Sequence, residues 1–100
     1  MLDVGIGTMS PGNYKLNVAG NVRANQITVN TTGADFVFEK DYHLKSLNSV
    51  EKYIATNHHL PEIASAKNMI ANGADLGELN RKLLQKVEEL TLYLIQKKNS

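Results

Sequence analysis

Few residues of this chain have the types and spacing that catalysis or metal binding requires. The adjacent His58 and His59 come first. Imidazole is a good metal ligand, but neighbouring side chains on a helix or strand point in different directions, and no third ligand stands at a recognisable spacing. Such a site would need copies of the pair meeting on an axis. The alternative is a helix-terminating turn whose imidazoles bond to nearby backbone. Asp41, His43 and Ser46 are the residue types of a triad, yet their compression into one short segment does not make a nucleophile–base–orienter geometry. Asp35, Glu39 and Asp41 follow aromatic residues and resemble an acid/base pair, although a solvated strand end accounts for them more simply. Gly5-Ile6-Gly7-Thr8 echoes a phosphate loop but lacks the following lysine and helix. Glycine at a strand edge or bend is the better reading. No catalytic residue, metal ligand or cofactor is expected.

What must position any function is therefore the pattern of apolar residues. The last quarter of the chain, from Asp75 to about Lys98, reads as one helix about 35 Å long at ~1.5 Å per residue. Leu76, Leu83 and Leu90 are spaced by seven, Val87 and Leu94 interleave, and Asn80 takes the remaining place. This 3-4 alternation is the seam of helices packing in a shallow left-handed supercoil. Asp75 can cap the helix while Glu78 reaches back to complete a capping box. Lys97 and Lys98 set positive charge on the negative end of the helix dipole. Leu79, Leu84, Leu92, Tyr93 and Ile95 lie off the seam, so a two-stranded coil would leave much apolar surface in water. Three or more helices about an axis, or one seam plus a globular part, would bury it. An ordinary amphipathic helix in a monomeric α+β core is the competing reading. Asn80 either fixes register within the seam or faces the globular part or solvent, with the seam starting at Leu83.

Composition agrees with an assembling protein. One hundred residues with six aromatics and no Trp give a thin core for a free-standing monomer. Cysteine is absent, which removes disulfides, thiol nucleophiles and thiolate metal sites. Eleven basic against ten acidic residues argue against a nucleic-acid or anionic-membrane surface. No apolar run approaches the roughly 18 residues of a membrane span. Met1-Leu2-Asp3-Val4-Gly5 has neither a basic region nor an apolar one, and the chain starts inside a strand-like pattern, as a piece of a longer protein would.

Residues 1–32 are rich in Gly, Asn, Thr and Val. Val4–Thr8 suggests a short extended piece and Ser10-Pro11-Gly12-Asn13 a turn. Leu16, Val18, Val22 and Ala24 then alternate with polar residues, and Ile27 and Val29 continue the alternation, which predicts short strands with one apolar face. There are too few to cover a core, so the same strands of neighbouring chains are expected to complete the sheet. In residues 33–100, Phe36-Val37-Phe38 predicts a strand. A first helix is expected over 47–57 with Ser46 as cap and Leu47, Val50, Tyr53 and Ile54 as its stripe; Pro61 prevents its continuation. A second spans 66–72 between Ser65 and Gly73, with Met69 and Ile70 on its apolar side. The fold class is α+β, in two parts at 1–32 and 33–100: short strands, one more strand, two short helices and a long coiled-coil-like helix.

Two stretches carry a resemblance. Val4-Gly5-Ile6-Gly7-Thr8-Met9-Ser10-Pro11 through Tyr14-Lys15-Leu16-Asn17-Val18 and Val22-Arg23-Ala24 resembles a strand repeat of bacterial and phage fibre proteins. Ala34-Asp35-Phe36-Val37-Phe38-Glu39-Lys40-Asp41-Tyr42, His59-Leu60-Pro61, Ser65-Ala66, Leu76-Gly77-Glu78 and Lys86–Tyr93 resemble the C-terminal tail-fibre domain of Bacteroidetes surface and prophage-like proteins. The resemblance implies the C-terminal tip of a homotrimeric fibre: a β-structured, intertwined shaft before residue 33 and a helical trimerising cap after it, joined to the rest of the fibre. The location implied is extracellular, or on a virion or injection particle. The wider group includes intramolecular chaperones that align three chains before the shaft zips up. A receptor- or glycan-binding tip is the alternative. A self-cleaving chaperone is a third, but the serine that such domains place before an aspartate is here Ala34, before Asp35.

Overall fold

The computed structural model describes residues 3–99, so Met1 and Leu2 of the first part and Ser100 of the second lie outside it. The chain is an α+β fold drawn out along one axis, 58 × 29 × 24 Å. Strands β1 (Val4–Ile6) and β2 (Leu16–Val18) pair in parallel, with Val4 opposite Leu16 and Ile6 opposite Val18. The connection is shorter than the roughly dozen residues that parallel strands usually need. It closes because Gly7 takes φ 75° and packs where a Cβ would sit 2.8 Å from the Ala19 carbonyl oxygen. The Pro11–Tyr14 turn, with Gly12 at φ 68°, completes the reversal.

Two sequence expectations are corrected here. Beyond Val18 the alternating residues Val22, Ala24, Ile27 and Val29 form no strand, because no segment of the described chain lies beside them to share a ladder. Phe36-Val37-Phe38 is a 3-10 helix, Asp35–Phe38, rather than a strand. The reason is positional. In a 3-10 turn, residues three apart share a face, so Ala34 and Val37 point together into the molecule and are almost fully buried. The Val37 N–H donates to the Ala34 carbonyl, giving the backbone the partner that an isolated strand would lack.

The helices fall where the sequence places them. Helix α1 (Leu47–Asn57) starts at Ser46, whose hydroxyl accepts from the Ser49 N–H at 3.1 Å, and stops at His58, which turns left-handed at φ 61°. Helix α2 (Ala66–Asn72) is capped in the same way by Ser65 and ends at Gly73, φ 73°. Met69 is half-buried, but Ile70, expected beside it, is 87% exposed. Helix α3 (Leu76–Lys98) is the long element. Asp75 precedes it, but its side chain makes no capping bond. Glu78 is drawn instead to Arg81 and Lys82, one turn ahead, so the expected capping box does not form.

Candidate functional site

The outward face of α3 is the feature with most consequence. The six seam residues are all exposed: Leu76, Asn80, Leu83, Val87, Leu90 and Leu94, the five apolar ones between 46% for Leu83 and 70% for Leu94. On the opposite side of the same helix sits Gln85, at 5% exposure the most buried polar side chain among the described residues. In a heptad that position is normally the wettest. Here the chain's own residues wrap the back of the helix and leave the apolar seam open.

Polar chemistry holds that wrap. Gln85 donates from Nε2 to the Tyr42 hydroxyl (3.2 Å) and to Glu62 (3.0 Å), and the Tyr42 hydroxyl donates to Glu89. Lys86 lies 3.3 Å from Glu62 and 3.0 Å from Glu89. The Tyr93 hydroxyl donates to the Lys45 carbonyl at 2.6 Å. Burial pushes the Tyr42 phenol up to about 12, the Glu89 hydrogen bond and the Glu89 and Glu62 charges adding to it against the opposing Gln85 bond. Burial also tends to raise Glu62, but its bonds from Gln85 and Lys86 and the Lys86 and Lys45 charges outweigh that and hold it below the ordinary carboxylate range. Glu62 adopts φ 70°, a left-handed conformation costing about 1–2 kcal/mol for a residue with a Cβ. These three partners hold it there.

At the other end, residues 29–31 cross the first turn of α3. A Cβ on Gly77 would sit 2.7 Å from Val29 Cγ1, and the Thr31 hydroxyl donates to the Gly77 carbonyl at 3.1 Å. Gly77 accepts the helix cost of lacking a side chain so that the strand-bearing segment can lie against the helix.

The single chain is left without a hydrophobic core. Ala34, Val37 and Pro61 are the only buried residues with apolar side chains among the described residues. The exposed area is 8630 Å², whereas monomers of 11.0 kDa expose about 5,600 Å². The radius of gyration is 18.2 Å, against about 13 Å for a compact domain of this length. The β1–β2 pair adds to the excess, since Val4, Ile6 and Leu16 on its apolar face are about half exposed. Glu88 Oε2 is buried with no hydrogen-bond partner among the described residues, an omission uncommon in completed structures.

The two adjacent histidines have local roles. His58 is the left-handed cap of α1. The His59 Nδ1–H donates to the Leu60 carbonyl oxygen at 2.9 Å, and the ring stands edge-on to Tyr53. Among the described residues no three His, Cys, Asp or Glu side chains gather as a metal site, and no helix is long and apolar enough to cross a membrane. Sequence reasoning missed the Tyr42–Gln85–Glu89–Glu62–Lys86 network. The signal available was a glutamine, a lysine and a glutamate within about one turn of the helix, none of them in the seam. No family model, curated protein or solved structure matches the chain.

Proposed function

We propose that this chain is the trimerising end of a fibre, a structural assembly domain whose long helix brings three copies into register so that their β-segments complete one another. The carrying observation is the inverted amphipathicity of α3, with Gln85 buried and Leu83, Val87, Leu90 and Leu94 in solvent. An apolar seam costs roughly 25 cal/mol per Å² left in water. Exposed surface of about 3,000 Å² beyond the monomer expectation matches the area that obligate oligomers bury.

Three copies suit the surface better than two. Leu79, Leu84 and Tyr93 flank the seam where two-stranded coils carry charge. They widen the apolar arc to one that a third helix covers. The β1–β2 pair is too small to stand alone, and Gly- and Asn-rich strands specify their register poorly. Strands gathered from separate chains also nucleate slowly. A helical element that associates first raises the effective concentration of the three shafts. The role is non-enzymatic, on an extracellular, virion or injection-particle fibre, with the preceding fibre as the covalent partner.

Separate peptides test the division of labour. Residues 33–100 should be helical and trimeric by circular dichroism and light scattering, while residues 1–32 should be unstructured, having too little apolar area to offset their ordering entropy. Ordered β-structure in the isolated 1–32 peptide would contradict the proposal.

A further inference from the structure

A cleft of about 210 Å³ opens between α1 and α3, floored by Leu47, Val50 and Ile54 from α1 and by Leu90 and Tyr93 from α3. It is roomier than a cavity of roughly 150 Å³ that accommodates a benzene ring. Leu47, Ile54 and Leu90 are about half exposed, so the single chain leaves the cleft open. Its charged rim is self-neutralised, with Lys86 bonded to both Glu62 and Glu89. An uncharged aliphatic group is what such a site accepts.

We infer that the occupant is Ile95, from the α3 helix of a neighbouring copy. The inference rests on the parallel trimer proposed above and adds a specific contact to it. Leu90 belongs both to the seam and to the cleft, so the two apolar surfaces are continuous. Lys86 and Tyr93, which line the cleft, occupy one flank of the seam; Leu84 and Thr91 occupy the other. In a parallel coil, one flank of each helix faces the opposite flank of the next, about five residues further along. The level of Lys86 and Tyr93 therefore meets the neighbour's helix between Thr91 and Lys98. Ile95 lies at that level, half exposed and one heptad position further from the seam than Thr91, while the cleft between α1 and α3 lies on the Lys86–Tyr93 flank that would face it. The contact is heterologous, cleft on one side and Ile95 on the other, and repeats around a closed ring. It also fixes the sense of the assembly, because antiparallel helices would bring like flanks together.

The chain has no cysteine, so a cross-link gives a clean readout. Full-length chains carrying Val50→Cys and Ile95→Cys, with different affinity tags, are co-expressed and mildly oxidised. The expected product is a disulfide between the two tagged chains, several-fold above a control in which Ile70→Cys, on the exposed side of α2, replaces Val50→Cys. Leu47→Cys provides a second acceptor position. A trimer by light scattering in which neither position cross-links above the control overturns the Ile95 assignment and leaves the trimer standing. A monomer by light scattering removes both.

Discussion

Gln85 and Val87 are two residues apart on one helix, and the amide is buried at 5% exposure while the valine is 57% exposed. Burial of the polar residue is stabilised by its bonds to Tyr42 and Glu62. Exposure of the apolar one has no compensation within a single chain. That inversion is the physical basis of the assembly reading, and mutations on the two sides should act on different quantities.

On the open side, Leu90→Asp places one carboxylate per chain near a shared axis in a desolvated layer. The expected cost is several kcal/mol, so the variant should sediment as monomers at micromolar concentration. A stable Leu90→Asp oligomer would refute the seam.

On the closed side, Gly77→Ala sets two effects against each other. Helix propensity favours alanine by about 1 kcal/mol, but the added Cβ would stand 2.7 Å from Val29 Cγ1 and 3.2 Å from the Asn30 carbonyl oxygen. Overpacking costs of about 1–3 kcal/mol exceed the propensity gain. The variant should melt several degrees lower, and a raised melting temperature would show that residues 29–31 do not rest on the helix.

The Tyr42 network sets an alkaline limit. With the folded phenol raised from 10.0 to about 12, its contribution is complete below pH 10 and is lost as pH rises from there through about 12. Glu62, held low, contributes above the ordinary carboxylate range and loses that contribution as pH falls below about 4.5. Thermal melts against pH should fall at both ends. Tyr42→Phe should reduce the alkaline limb alone, leaving the smaller part due to Tyr93, whose phenol is also raised by burial and the Glu89 charge. An unchanged alkaline limb in Tyr42→Phe would assign it to another group.

The protein should not cleave itself. Ala34 precedes Asp35 and carries no oxygen to attack a carbonyl. It is also buried in the 3-10 turn rather than presented in a strand. Intact-mass spectrometry should return the full chain after long incubation; a product beginning near residue 34 or 35 would contradict this.

Helix positions were legible because caps and stops act locally: Ser46, Ser65 and Gly73 do their work within one turn of chain. The strand expected at Phe36–Phe38 was not, since alternation of Phe and Val says nothing about whether a partner strand exists. The Asp75–Glu78 box failed because Arg81 and Lys82 offered Glu78 a full opposite charge. The polar network escaped notice because its members are spread from Tyr42 to Glu89, and only the folded chain brings them together. The seam was plain in the spacing of Leu83, Val87, Leu90 and Leu94. Its outward orientation was expected from the apolar residues off the seam. The spacing alone did not choose between packing on other copies and packing in a monomeric core, because a heptad does not state which side the rest of the chain will cover.

Solution mass of the intact chain by multi-angle light scattering separates the trimer from a free-standing monomer. Association of three 11.0 kDa chains predicts a single species of about 33 kDa that persists on dilution through the micromolar range. A species of 11.0 kDa at those concentrations would contradict it, since the exposed seam would then be stable in water without a partner.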